Sequence, residues 1–186
     1  MALHPDSCCR QRPQRGLTLI ELIIVLALSA LLLGIAMPSL QPLLNRQTRS
    51  ASVNQVIAIL RYTQQKAVFS GRPATLCPSS SGDSCDAAWG SGQLMVFADP
   101  EGDGLFDKDG ADQLLKLVML PNDWSINWRA FGNRNHIAYD PRGYVFNQNG
   151  TMEICPAQAT DVIAVLVINR IGRLRREERR YSASKC

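Results

Sequence analysis

From Leu17 to Met37 the chain is apolar at nearly every position and carries one formal charge, Glu21. From Asn45 the apolar positions thin to Val53, Val56, Ile57, Leu60, Ala67 and Val68, at helical spacing among Gln, Arg and Asn, until Gly71 and Pro73 stop the pattern. Together these predict one helix over 17–70, about 80 Å long at 1.5 Å per residue. Pro38 and Pro42 are expected to kink or loosen it. Its first half is apolar all round; its second half is one-sided and is expected to pack on a globular domain.

After Pro73 the period shortens. The segments PATLCP, GQLMVFAD, DQLLKLVML, SINWRAF, HIAYDPRGYVF, GTMEICP and VIAVLVIN are β-rich and punctuated by Gly, Pro, Asn and Asp. Their spacing implies hairpins and meanders, with no helices between them. The expectation is an α+β fold in which a long N-terminal helix, its first half transmembrane, lies against an antiparallel β-sheet domain. Trp124, Trp128 and Phe131 are assigned to the sheet core.

A chain of 186 residues accommodates one globular domain and an added element. Only the N-terminal run approaches the ~20 apolar residues a spanning helix needs. Arg10, Arg12 and Arg15 precede it against the single acid Asp6, which keeps the extreme N-terminus cytoplasmic and places the rest of the chain across the membrane. That side is oxidising. Cys8 and Cys9 fall in the leader, so Cys77, Cys85, Cys155 and Cys186 form an even set able to pair. Four cysteines allow three connectivities; we favour Cys77 with Cys85, closing a Ser/Gly loop, and Cys155 with Cys186. No C-x-x-C occurs and there are two histidines, His4 and His136, which argues against zinc.

The N-terminal run has three readings. As a secretory signal it would be cut at Gly34-Ile35-Ala36, but it is long for that role and contains Glu21. As a plain anchor it would begin with a capping box, Thr18 to Glu21. Third, basic residues followed by Gly16, then LTLIE and an unbroken apolar helix with Pro38 and Pro42 near its far end, resemble the class III signal of type IV pilins and pseudopilins. The resemblance implies that a prepilin peptidase cuts between Gly16 and Leu17 and methylates Leu17, leaving residues 17–186. Family members most often begin the mature chain with Phe, where Leu17 stands here. It also gives Glu21 a role, since a carboxylate in hydrocarbon persists where it is paired or functional. In a filament of packed helices it would meet the N-terminal amine of a neighbouring subunit.

Further along, the short Cys77…Cys85 loop, Trp89-Gly90, VFADPEGDGLFDKDG, GYVFNQNGTMEICP and a last strand ending INRIGRLR together resemble the H-type pseudopilin and minor pilin branch, GspH/FimT. The implied organisation is a cleaved cytoplasmic leader over 1–16, a transmembrane assembly helix over 17–44, a periplasmic helix and β domain over 45–171, and a basic tail over 172–186.

Candidate chemistry is sparse. Asp99, Glu101, Asp103 and Asp107 imitate the first half of a calcium loop, but Gly110 stands where the closing bidentate Glu belongs. The same residues suit a hairpin turn; no cofactor is assigned, and calcium is the one candidate. Asp140-Pro141-Arg142-Gly143 reads as a turn, and no nucleophile, base and orienting acid can be grouped by spacing, so an enzyme is not expected.

The charge is uneven. Removing the leader's three arginines and one aspartate from the totals of 20 basic and 16 acidic residues leaves 17 and 15, net +2. Arg173, Arg175, Arg176, Arg179, Arg180 and Lys185, set against Glu177 and Glu178, put +4 in the last fifteen residues alone. Such a run is either a solvated tail, salt-bridged locally, or a polyanion site. Gly172-Arg173-Leu174-Arg175 matches the G-R-x-R motif found near the C-terminus of minor pilins of this branch that bind DNA in natural transformation. By that resemblance Arg173, Arg175 and Arg176 are the DNA-binding candidates. If the segment is extended, Arg173 and Arg175 project to one side.

The expected function is therefore a minor pilin or pseudopilin that initiates or caps a type II secretion pseudopilus or type IV pilus. The alternative is a pilus-borne DNA receptor. Expected partners are other pilins, the prepilin peptidase, the inner membrane and DNA, with the C-terminal domain periplasmic before assembly.

Overall fold

The computed structural model describes residues 18–86, 88–89, 93–120, 124–132, 134–145, 147–156 and 162–180, with backbone alone at 35–42, 45, 49, 124, 156, 162 and 180. Gly16, Leu17, Lys185 and Cys186 lie outside the described residues. The chain divides into two compact units between Arg46 and Gln47, a boundary inside helix α1, Leu19–Ser70.

In the first unit α1 passes through Pro38 and Pro42 uninterrupted, so the expected loosening does not end the helix. Each proline forfeits its own backbone hydrogen bond, and the turns on either side continue the helix. The side chains from Leu19 to Gly34 are exposed throughout, Leu22 at 51% and Leu32 at 66%. Among the described residues no helix is long and apolar enough to cross a membrane. The stretch with described side chains stops at Gly34, short of the ~20 apolar residues a span needs.

In the second unit α1 buries Val53, Val56, Ile59, Leu60, Thr63 and Ala67, the 3-4-3-4 stripe of a one-sided helix. Ile57 is only partly buried at the edge of that stripe, and Val68, expected on it, is 47% exposed. Gly71, at φ +65°, ends the helix in the left-handed conformation that favours glycine.

Two four-stranded antiparallel sheets follow, where the sequence suggested one. The first has the order β3-β2-β1-β5, with β1 Ala74–Ser79, β2 Gln93–Ala98, β3 Gln113–Met119 and β5 Ile137–Tyr139. The second has the order β4-β6-β7-β8, with β4 Trp124–Ala130, β6 Gly150–Pro156, β7 Val162–Ile168 and β8 Leu174–Arg180. Leu76, Leu94, Val96, Trp128, Met152, Ile154, Leu166 and Ile168 join the α1 stripe in one core. Smaller clusters lie on the opposite faces: Cys77, Met95 and Phe97 under the first sheet's loops, and Cys155, Ile163 and Val165 on the second sheet. Trp128 is core as expected; Phe131 is not, being 67% exposed.

Each of the seven predicted segments holds a strand, although HIAYDPRGYVF is strand only at Ile137–Tyr139. The basic segment expected as tail holds an eighth strand, β8, hidden in the sequence because six of its seven residues are charged and leave no apolar alternation. Pairing with β7 from Ile168↔Leu174 to Val162↔Arg180 makes it a strand, and charged side chains suit its place at a sheet edge.

Candidate functional site

At the start of α1 the Glu21 N–H donates to the Thr18 hydroxyl at 3.3 Å and the Leu22 N–H to the Thr18 carbonyl at 3.2 Å. This is half of a capping box. Among the described residues the Glu21 carboxylate has no recorded partner, so the helix cap does not consume it. It stands exposed among exposed Leu19, Ile20, Leu22 and Ile23.

The basic segment is built from two turns of one construction, Asp140–Tyr144 and Asn169–Arg173. In each, the glycine N–H donates to the first residue's carbonyl, Gly143 to Asp140 at 2.8 Å and Gly172 to Asn169 at 2.9 Å. The first residue's N–H donates to the fifth's carbonyl, Asp140 to Tyr144 at 2.9 Å and Asn169 to Arg173 at 3.2 Å. The fifth residue's N–H donates to the first's side chain, Tyr144 to Asp140 Oδ1 at 2.9 Å and Arg173 to Asn169 Oδ1 at 2.8 Å. Gly143 and Gly172 hold φ +79° and +74°, the left-handed position each turn requires.

The turns meet. A Cβ on Gly172 would lie 2.0 Å from the Gly143 carbonyl oxygen, so only glycine allows the approach. The Gln64 amide on α1 donates to the Gly143 carbonyl at 2.9 Å and the Gly172 carbonyl at 3.3 Å, and the Val145 N–H donates to the Arg170 carbonyl at 3.0 Å.

Leu174 packs against the core, so Arg176 and Glu178 share its side of β8 while Arg175, Glu177 and Arg179 take the other. Arg173 and Arg175, with Val167 and Asn169, line a cleft of ≈ 220 Å³. Arg176, the third DNA-binding candidate, is on the opposite side and pairs with Glu178 at 3.4 Å. Glu177 pairs with Arg175 and, at 3.1 Å, with Arg179; the hydrogen bond from Arg179, aided by the charge of Arg175, holds its carboxyl below the usual range. Among the described residues the Arg173 side chain has no recorded ion pair.

The four calcium candidates do not converge. Asp99, fully buried, accepts from the Thr75 hydroxyl at 2.7 Å and the Gly102 and Gly104 N–H groups at 2.7 and 3.0 Å. Asp103 and Asp107 accept from Leu105 and Asp109 in two-residue turns, and Glu101 is exposed. Among the described residues no group of three or more His, Cys, Asp or Glu side chains could hold a metal ion. The loop is a hairpin connection tied by its own carboxylates. His136 lies over Gly104 and hydrogen-bonds Gln148 at 3.0 Å, and burial pushes its pKa below the usual value.

Cys77 and Cys85 form a disulfide. Cys155 is also disulfide-bonded, and its expected partner, Cys186, lies outside the described residues.

Sequence reasoning missed Gln64, which has no signature beyond a polar place beside the stripe. It also missed the kinship of DPRGY and NRIGR, legible as a repeated [DN]-x-x-G-x pattern.

A helix exposed and apolar from Leu19 to Gly34 but for one carboxylate, continuing in sequence into an α/antiparallel-β unit, is the organisation of a pilin-like subunit. Residues 52–172 match the family described as Type II transport protein GspH, and the chain belongs to that family. Residues 11–37 match the prokaryotic N-terminal methylation motif. The fold is similar to that of the type IV minor pilin FimU of Pseudomonas aeruginosa (TM-score 0.54, 19% identity, 72% of this chain and 90% of that one). The minor pseudopilin EpsH of the Vibrio cholerae type 2 secretion system is also similar (TM-score 0.48, 15% identity, 69% and 95% covered). No curated protein sequence matches the chain.

The chain is thus a minor pilin or pseudopilin of a type II secretion system or type IV pilus, a structural and non-enzymatic subunit. Membership implies filament partners, processing by prepilin peptidase, and residence in the inner membrane and then the pilus.

Proposed function

We propose that the chain is cut between Gly16 and Leu17, methylated at Leu17, held in the inner membrane by the helix over 17–44 with its C-terminal unit periplasmic, and drawn into a filament that it initiates or caps. The observation that supports this reading is the helix surface from Leu19 to Gly34, exposed on all sides and interrupted by one carboxylate, Glu21, that has no partner among the described residues. Such a surface requires a cover, first lipid and then neighbouring helices. Glu21 supplies the register, because its carboxylate pairs with the amine of an adjacent subunit. Processing of Glu21→Ala is expected to be normal and its recovery in sheared filaments lost. Recovery equal to wild type would remove the glutamate from the assembly step.

A second reading is that the chain binds DNA through Arg173 and Arg175. It is favoured by their joint lining of one cleft beside the Gly172 turn. Affinity of the full chain in non-ionic detergent is expected to fall with salt and to collapse in Arg173→Ala/Arg175→Ala. Absence of binding at low salt by a folded, oxidised sample would leave assembly as the whole function.

A further inference from the structure

We propose that the polyanion surface is composite: the turn Asp140–Tyr144 belongs to it as fully as the turn Asn169–Arg173, with Arg142 and Arg170 as phosphate ligands beside Arg173. This rests on the DNA-binding reading and extends it to a segment 29 residues earlier in the chain, from Asn169 back to Asp140. The turns share one hydrogen-bond construction and touch at Gly143 and Gly172, and Gln64 clasps both carbonyls. Their arginines therefore rise from one joined backbone surface. Arg142 is positioned for this. Asp140 accepts from its Nη2 at 2.7 Å, the guanidinium lies 5.2 Å from the centre of the Tyr144 ring, and the side chain remains 65% exposed. Burial pushes the Asp140 carboxyl up, but hydrogen bonds from Tyr144 and Arg142 more than offset this and keep it ionised. Arg170 and Arg173 are exposed on the second turn. The two turns carry Arg142, Arg170 and Arg173 against the one acid Asp140, and Arg175, which follows them, pairs with Glu177, so this part of the chain is net positive. A DNA backbone, with closely spaced phosphates, is the ligand that engages several such groups at once.

The test is the salt dependence of binding to a labelled duplex of mixed sequence, using the full chain in non-ionic detergent. Arg142→Gln and Arg170→Gln are each expected to reduce the slope of log affinity against log salt by about 0.9. Over a range from about 50 to about 200 mM salt, that is about a threefold smaller loss of affinity. Arg142→Lys, which keeps the charge, is expected to restore the slope; Lys108→Gln, on the acidic loop, is expected to leave it unchanged. Wild-type slopes in both Gln variants, with a reduced slope in Arg173→Gln, would overturn the composite surface and leave the DNA reading standing. A slope lost in Arg142→Lys as well would assign Arg142 to turn geometry and also overturn it. No binding by the wild-type chain would reject the DNA reading itself.

Discussion

Replacing Gly172 by alanine probes the joint between the two turns. An alanine at φ +74° costs about 1 kcal/mol after allowing for the stiffer unfolded chain. Its Cβ would stand 2.0 Å from the Gly143 oxygen and 2.6 Å from Gln64 Nε2, so the turns must separate by more than 1 Å. That breaks both Gln64 hydrogen bonds, at about 1 kcal/mol each, and leaves a half-buried amide to find water. The total is about 3–4 kcal/mol, or a Tm lowered by about 6–16 °C for a unit of this size. Gly71 is the internal control: its φ is +65° and nothing lies within 4 Å of the Cβ position, so Gly71→Ala retains only the conformational cost, about 2–4 °C. The assay is thermal unfolding followed by near-UV circular dichroism. That signal reports the second unit through the Trp89 and Trp128 rings, 6.1 Å apart, and is blind to the exposed stretch of α1. Equal losses in the two variants would refute the argument that close approach holds the turns together.

Three other perturbations follow from the same geometry. Reducing Cys77–Cys85, or replacing both by serine, releases a loop with a sequence separation of 8 and should cost about 2–3 kcal/mol in denaturant unfolding. Arg129→Ala removes the 2.6 Å partner of the fully buried Glu153, whose Oε2 has no hydrogen-bond partner among the described residues; it should destabilise more than Glu153→Gln, by up to about 3–5 kcal/mol. His136 has a folded pKa below 6.5, so the folded state binds its proton less readily than the unfolded chain does. Its contribution is complete above pH 6.5 and is lost as pH falls through the folded value, a slope that should be absent from His136→Gln in unfolding measured from about pH 7 to about pH 5.

Much of this fold is written in local pattern. The Val53–Ala67 stripe, the Gly71 stop and seven strands follow from periodicity and turn residues, because each records a preference that tertiary structure reinforces. What was hidden depends on pairing between distant segments. β8 has no apolar alternation and is a strand because β7 supplies its hydrogen bonds. Arg176 parts from Arg173 and Arg175 only once that pairing fixes the pleat. Gln64 acts on carbonyls 79 and 108 residues away, and no spacing within α1 announces that. The acidic loop shows where sequence leaves two readings open. Asp99 looked like a ligand in sequence because turn-forming and calcium-binding carboxylates are the same residues, and only its three hydrogen bonds within the protein distinguish them.

The central claim is that the apolar helix is kept, with Glu21 in it, after a cut on the cytoplasmic side. The direct measurement is the intact mass of the chain recovered from cells that express a prepilin peptidase. The account predicts residues 17–186 carrying one added N-terminal methyl group. A product beginning after Ala36, which lacks Glu21, or a chain still bearing its first sixteen residues, would contradict it.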